Sequence, residues 1–481
     1  MVTTPELDAI VVGAGPNGLA AALTLARAGR SVRVYEAADT IGGGTRTAEL
    51  TLHGFRHDVC STILPLTAAS PFFRTIDWDA HGVELIHPDA PLGHALDGGR
   101  AAVLERSFEA TAAGLDRDRR TDDGGAWLRL FGPLVRDVRK LSKELLGPVV
   151  HVPRHPLALA RFGLPALRSA KGLARSRFRG EPARALFAGL SAHSMVALDR
   201  PLSASFGLVL GMYAHAVGWP MVRGGSAAVT DALAAELRSL GGEIVTGERV
   251  DRLDDVPPAR AVLFDTTPRA MVAIAGDRLP PRTRRGYEAF RYGSGVFKVD
   301  WALDGPIPWT AQGLRRAGTV HLGGTLNEIA HSESEVAAGR HAERPFTLLV
   351  QYHPWDPSRA PAGKTTAWAY CHVPSSSDVD MTPRIEAQVE RFAPGFRDLV
   401  LARSTHSPAQ LEAHDPNYIG GDINAGISDI RQTLFRPVPS LDPYHAGPGL
   451  YLCSSSTPPG GGVHGMSGFL AAQSALRRDL R

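Results

Sequence analysis

Asp8-Ala-Ile-Val-Val-Gly13-Ala-Gly15-Pro16-Asn17-Gly18 is the stretch that decides how this chain folds. Ile10–Val12 reads as a fully buried parallel strand. Gly13 permits a tight turn, Gly15 lets backbone approach a pyrophosphate, and Gly18 lets the next helix pack closely on the strand. Pro16 and Asn17 open that helix, which runs to Ala28 and ends at Gly29, a residue suited to a helix C-terminus. The helix N-terminus offers free N–H groups and partial positive charge to phosphates. Ser31–Tyr35 is the second strand, and Glu36 stands at its end. A carboxylate there can accept hydrogen bonds from both ribose hydroxyls and repels a 2′-phosphate. Strand, turn, helix, strand and acid in this order predict an α/β chain with a Rossmann-type dinucleotide-binding domain.

Working outward, Ile41-Gly-Gly43-Gly44-Thr-Arg46 follows the acid directly. Its glycines let a second loop close over the pyrophosphate, and Arg46 supplies charge, which favours FAD over NAD. The segment Gly241–Leu253 reads as a hairpin or strand pair returning to the nucleotide domain. No second fingerprint follows, so no dedicated NADPH domain is expected. Near the other end stands Leu450-Tyr-Leu-Cys453-Ser454-Ser455-Ser-Thr-Pro-Pro-Gly460-Gly-Gly462-Val463-His464-Gly-Met466. The two glycine-rich turns together predict one large cofactor, FAD, held by both ends of the chain.

Composition narrows the remaining classes. With 481 residues there is room for two domains. A net charge of +3 gives no case for a nucleic-acid partner. Cys60, Cys371 and Cys453 lie far apart with no CxxC pair, which argues against a zinc site or a disulfide framework and fits a reducing cytoplasm. No signal peptide and no apolar run long enough to span a bilayer is read. Of 52 basic residues only five are Lys (140, 143, 171, 298 and 364), a bias expected of a GC-rich bacterial genome. Residues 151–185 hold eight basic residues against one acid, Glu181, interleaved with Leu157, Leu159, Phe162, Leu164, Leu167, Leu173 and Phe178. This reads either as a helical face packed on the core or as one resting on anionic lipid at the inner face of the membrane.

These motifs resemble the two-dinucleotide-binding-domain flavoproteins, the superfamily of monoamine oxidase and phytoene desaturase. Gly54-Phe-Arg-His-Asp58, Trp219-Pro-Met-Val-Arg-Gly-Gly225, Arg291–Trp309, Gly420-Gly-Asp422 and Arg436-Pro437 extend the likeness along nearly the whole chain. It looks most like the phytoene desaturase-related branch, and within it the group of pyridine nucleotide-disulfide oxidoreductase domain-containing protein 2. The resemblance implies an FAD domain of residues 1–75, 219–300 and 416–481, with an inserted α+β substrate domain of 76–218 and 301–415. It implies that Val250 holds the adenine through its backbone and that Ser454 and Ser455 face the ribityl phosphate. The backbone of Val463 and His464, after Gly462, would open a helix aimed at the flavin N1–C2=O edge, where reduced flavin carries negative charge. Two departures stand out. Gly44 occupies the position where the superfamily often has Arg, and Ser454-Ser455-Ser456 replaces glycines.

Tyr292–Leu303 resembles the monoamine oxidase strand whose lysine reaches flavin N5 through a water, which makes Lys298 the expected catalytic residue. His57, Asp58, Ser61, His215, Trp219, Tyr370 and His372 are weaker candidates. The expected activity is a desaturase- or dehydrogenase-type hydride transfer from a substrate C–H to flavin N5. The expected substrate is apolar, isoprenoid-like or a secondary metabolite, and electrons leave to oxygen or a quinone. The same resemblance leaves open an amine oxidase, a flavin-dependent isomerase or saturase, and a non-catalytic carrier of prenylated lipids.

Overall fold

The computed structural model describes residues 7–117 and 121–481. Two sheets organise it. The first has six strands in the order His445–Gly447, Leu450–Leu452, Ala259–Phe264, Leu7–Val12, Val32–Tyr35 and Glu243–Val245. All neighbours are parallel except the edge pair His445–Gly447 and Leu450–Leu452. Parallel strands need cover on both faces, and Ala9–Val12 is accordingly buried.

Helix Pro16–Arg27 follows the first strand and is covered by the C-terminal helix Met466–Arg478. Both helices are built for close approach. A Cβ on Gly18 would lie 2.1 Å from the Gly13 carbonyl oxygen, and one on Gly468 would lie 1.8 Å from that of Asn17. Gly29, with φ of +75°, ends the first helix as expected. The segment 241–253 departs from expectation. It contributes only Glu243–Val245, a single parallel edge strand beside Val32–Tyr35, not a hairpin.

The second sheet has seven strands in the order Val400–His406, Gly295–Leu303, Thr365–Val373, Thr347–Gln351, Ala317–Leu322, Ala90–Leu96 and Arg100–Leu104. Its pairs are antiparallel except Ala317–Leu322 with Ala90–Leu96. Strand Gly295–Leu303 crosses the boundary drawn at 300 and pairs over its whole length inside this sheet. Its side chains are buried throughout, although Phe297-Lys298-Val299-Asp300-Trp301 alternates apolar and polar residues as a half-exposed strand would.

Helices Pro156–Ala166, Ala170–Arg177, Glu181–Ala192 and Ser203–Ala216 pack into a bundle against the second sheet. Segment 151–185 is therefore a series of short helices, and its apolar residues divide. Phe162, Leu173 and Phe178 enter the core, whereas Leu157, Leu164 and Leu167 are 74%, 73% and 62% exposed. Among the described residues no helix is long and apolar enough to cross a membrane.

Candidate functional site

A cavity of about 560 Å³ is lined from both sheets. At one end it meets Gly13, Gly15, Glu36, Arg46 and Val250; at the other it meets Leu210, Trp219, Leu348, Val350, Trp368 and Tyr370. Pro16, Asn17, Gly43, Gly44, Ser454, Ser455, Gly462 and Val463 also line it. Residues drawn from both ends of the sequence thus surround one space.

The first end is polar and pre-arranged. Glu36 accepts from the backbone N–H of Ala14 at 2.8 Å and of Ala38 at 2.9 Å. Arg46 lies 3.3 Å from the same carboxylate and donates to the Thr40 carbonyl at 2.9 Å. Asn17 donates to the Ser455 hydroxyl at 3.2 Å. Two buried atoms here have no partner, Arg46 Nε and Asn17 Oδ1. Buried polar groups are normally paired, so donors and acceptors remain for a large polar ligand.

Asp265 was not legible in the sequence. It follows strand Ala259–Phe264, whose Phe264 pairs with Val12, so its carboxylate meets the turn after the first strand. There it accepts from the Gly18 N–H at 2.8 Å. Burial pushes its carboxyl up to about 7, and the negative charges of Asp415 and Glu36 add to the effect.

Lys298 is only 3% exposed, yet it is not among the lining residues. Its ammonium donates to both Asp300 oxygens at 2.5 Å and to the Asp58 carbonyl at 3.2 Å. Those three bonds use all three of its hydrogens, leaving none for a water in the cavity. The expected catalytic lysine is instead part of a buried ionic network. In the same network Arg359 donates to Asp58 at 3.0 Å and to Asp356 at 2.8 Å. Burial alone would push the Asp58 carboxyl up, but the Arg359 charge, together with hydrogen bonds from Arg359, Ser226 and Thr47, more than offsets this and holds it at about 2. The Asp58 carboxylate accepts from five residues, Thr47, Ser226, Thr62, Arg359 and Tyr352, and through Tyr352 it ties the chain before Cys60 and Ser61 to the end of strand Thr347–Gln351.

The His464 side chain, as distinct from its backbone, points away from the cavity. It is fully buried and is not among the lining residues. Its Nδ1 accepts from the Met466 N–H at 3.0 Å, and Nε2 donates to the Gly460 carbonyl at 2.9 Å. The helix begins only at Met466, because Gly465 takes a φ of +64°. The imidazole caps that helix from inside.

Of the weaker candidates, Ser61, Trp219 and Tyr370 line the cavity. His57 sits 3.5 Å from Asp300, His215 accepts from the Trp127 indole, and His372 bonds Glu333. The sequence reading missed His193 and Thr319, which line the second end. Neither belongs to a motif; they come together because helix Glu181–Ala192, which His193 follows, packs on strand Ala90–Leu96, the neighbour of Ala317–Leu322.

Residues 11–77 match the family model described as an NAD(P)-binding Rossmann-like domain. The chain is 27% identical to mouse pyridine nucleotide-disulfide oxidoreductase domain-containing protein 2, over 99% of this chain and 94% of that protein. It is 27% identical to the phytoene dehydrogenase of Streptomyces griseus, over 83% and 79% of the two chains. The chain is a flavin-type oxidoreductase. A solved putrescine oxidase with putrescine bound shares the fold of this oxidoreductase, with a TM-score of 0.61 and 19% identity over 98% of this chain and 99% of that one. The oxidoreductase is thus similar along its length to the desaturase-related branch that its motifs resemble.

Proposed function

We propose that this oxidoreductase binds FAD along the polar end of the cavity and oxidises an apolar substrate held at the other end. The observation that carries this reading is the continuity of one cavity from the Gly13–Gly18 turn to the walls formed by Trp219, Leu348, Val350 and Trp368. Bound there, FAD would supply hydride acceptance from a substrate C–H at N5, with oxygen or a quinone as the final acceptor.

The chain's own residues bind, orient and exclude water. Glu36, fixed by two backbone N–H groups, is the ribose acceptor, and Arg46 and Asn17 offer unpartnered polar atoms for the diphosphate region. Val250, Ser454 and Ser455 line the same space. Lys298 acts through the Asp58 carbonyl as a positioning residue for the Cys60–Ser61 wall. The absorption spectrum of the purified protein tests the reading. Bands near 375 and 450 nm that bleach with dithionite support it. A colourless protein that takes up no added FAD overturns it and favours the lipid-carrier alternative.

One observation favours a second reading, an amine oxidase. Trp368 and Tyr370 both line the cavity with near-parallel rings, 5.9 Å apart and inclined by 13°, and aromatic rings in a cavity wall suit recognition of an amine. Anaerobic flavin reduction by putrescine or benzylamine would favour it.

The surface of residues 149–167 supports peripheral contact with an anionic membrane. Val149, Val150, Val152, Leu157, Leu164 and Leu167 are all exposed. Arg154, Arg161, Arg168, Arg175 and Arg177, interleaved with or following them in the chain, are exposed too. Apolar side chains flanked by arginines suit the boundary between acyl chains and acidic headgroups.

A further inference from the structure

The apolar end of the cavity is not apolar throughout. His193 and Thr319 line it, and behind them stand His94, His321 and His372. Strand register explains the cluster: His321 pairs with His94 on one side and Leu348 on the other, and Leu348 pairs with Tyr370. Thr319 and Val350 pair two residues away. Alternation puts these side chains on one face of the sheet. His193 reaches the same place from helix Glu181–Ala192, its ring 5.1 Å from that of His321 and 6.0 Å from that of Trp219.

The hydrogen bonding here is incomplete. His193 Nε2 and His321 Nε2 share one bond of 3.1 Å. His94 Nε2 donates to the Gly324 carbonyl at 2.7 Å, and His372 Nδ1 is taken by Glu333. The remaining nitrogens of His94, His321 and His372 are buried without a partner, and so is Thr319 Oγ1. His193 Nδ1 has no protein partner among the described residues. The rings do not converge on a metal: among the described residues no three His, Cys, Asp or Glu form such a group. Native interiors rarely leave so many buried polar atoms unpaired in one place. The cluster flanks a cavity that is otherwise walled here by Leu210, Trp219, Leu348, Val350 and Trp368.

We infer that the substrate is bipartite: an apolar body ending in an uncharged oxygen function, a hydroxyl or carbonyl, that hydrogen-bonds His193 and Thr319. This rests on the reading that the cavity end lined by Trp219 and Trp368 receives the substrate. Charge decides against ionised groups. A substrate carboxylate needs a cation, and the nearby Lys298 is consumed by Asp300 and Asp58. A substrate ammonium needs an anion, and Glu333 is engaged by His372. Burial holds His193 down at about 3 and His94 at about 4, so neutral imidazoles face the site. An all-hydrocarbon substrate would leave Thr319 and His193 desolvated and unpaired, which is unfavourable.

Ligand binding to the purified protein tests this through quenching of tryptophan emission, since Trp219 and Trp368 line the cavity. The probes are 1-octanol, 2-octanone, n-octane and n-octylammonium. The expected order places 1-octanol and 2-octanone tighter than n-octane by about three- to tenfold, opposite to their order of hydrophobicity. Thr319→Val combined with His193→Leu is expected to remove the preference while n-octane binding is retained. His193→Gln is expected to keep part of it. Equal or tighter binding of n-octane or n-octylammonium by the wild type overturns the inference. So does a preference that survives in the double variant. The flavin band read in the same samples separates the two claims. Protein without flavin that still prefers 1-octanol keeps this inference and removes the redox reading; flavin-loaded protein without the preference does the reverse.

Discussion

Asn17 donates its side-chain amide to the hydroxyl of Ser455 across 3.2 Å, joining residues 438 positions apart. The bond closes the cavity where the first glycine turn meets the last. It also explains why neither terminus can supply the nucleotide site alone: the helix that starts beside Asn17 is covered by the helix that follows the C-terminal turn.

That helix pair depends on Gly468. A methyl group there would strike the Asn17 carbonyl oxygen at 1.8 Å, and the contact is backbone that cannot swing away. Gly468→Ala is expected to destabilise the protein by about 1–3 kcal/mol, the usual cost of overpacking, and to weaken flavin retention. Thermal unfolding followed with and without added FAD measures both effects.

Lys298 and Asp300 form a fully buried ion pair. Lys298→Met strands the carboxylate and is expected to cost about 3–5 kcal/mol. Adding Asp300→Leu is expected to recover part of that loss, because both charges are then gone. In this stabilised double variant, substrate-driven flavin reduction should stay within about threefold of wild type, less than 1 kcal/mol of barrier. A drop of several orders of magnitude in stopped-flow traces would return Lys298 to the chemistry.

Asp265 links stability to pH. Its carboxyl is raised to about 7 by burial, reinforced by Asp415 and Glu36. The native state therefore binds more protons than the unfolded chain between the ordinary carboxylate range and pH 7. Its stabilising contribution is complete below the unfolded value and is lost as pH rises to about 7. The slope approaches about 1.4 kcal/mol per pH unit for one such group. Asp415 is raised in the same direction by burial and adds to the trend. Asp265→Asn keeps an acceptor for the Gly18 N–H and should flatten the decline. Urea unfolding at pH 5, 6, 7 and 8 on both proteins provides the comparison.

The exposed surface of residues 149–167 predicts co-sedimentation with vesicles containing phosphatidylserine, weakened by salt. Arg175→Glu with Arg177→Glu should reduce binding by roughly 30-fold, taking about 1 kcal/mol for each basic residue near an anionic surface. Leu157→Ser with Leu164→Ser should weaken it without changing the salt dependence. Binding that ignores both pairs of changes rejects the membrane surface.

The nucleotide end was legible in the sequence because its determinants are local. A tight turn needs Gly13, a close helix needs Gly18, and a ribose acceptor needs an acid at the end of the next strand, all within 30 or so residues of continuous chain. Cavity-lining positions from Gly13 to Arg46, and Gly462 and Val463 at the far end, could therefore be named from spacing and resemblance. Local pattern also misled. Lys298 sits in a motif-like strand, but whether its ammonium faces the cavity depends on Asp300 and Asp58, and only the packed sheet sets that geometry. The direction of the His464 imidazole, which turns inward to the Met466 N–H, was likewise not in the sequence. Asp265, His193 and Thr319 carry no signature of their own. They reach the cavity through strand order and helix docking, where partners hundreds of residues apart are selected by burial and hydrogen-bond satisfaction. The sequence by itself determined the dinucleotide turn and its acid, because backbone sterics act between neighbours. The tertiary structure alone decided which side chains meet the substrate end, because that surface is assembled from five separate strands and helices whose proximity no local rule encodes.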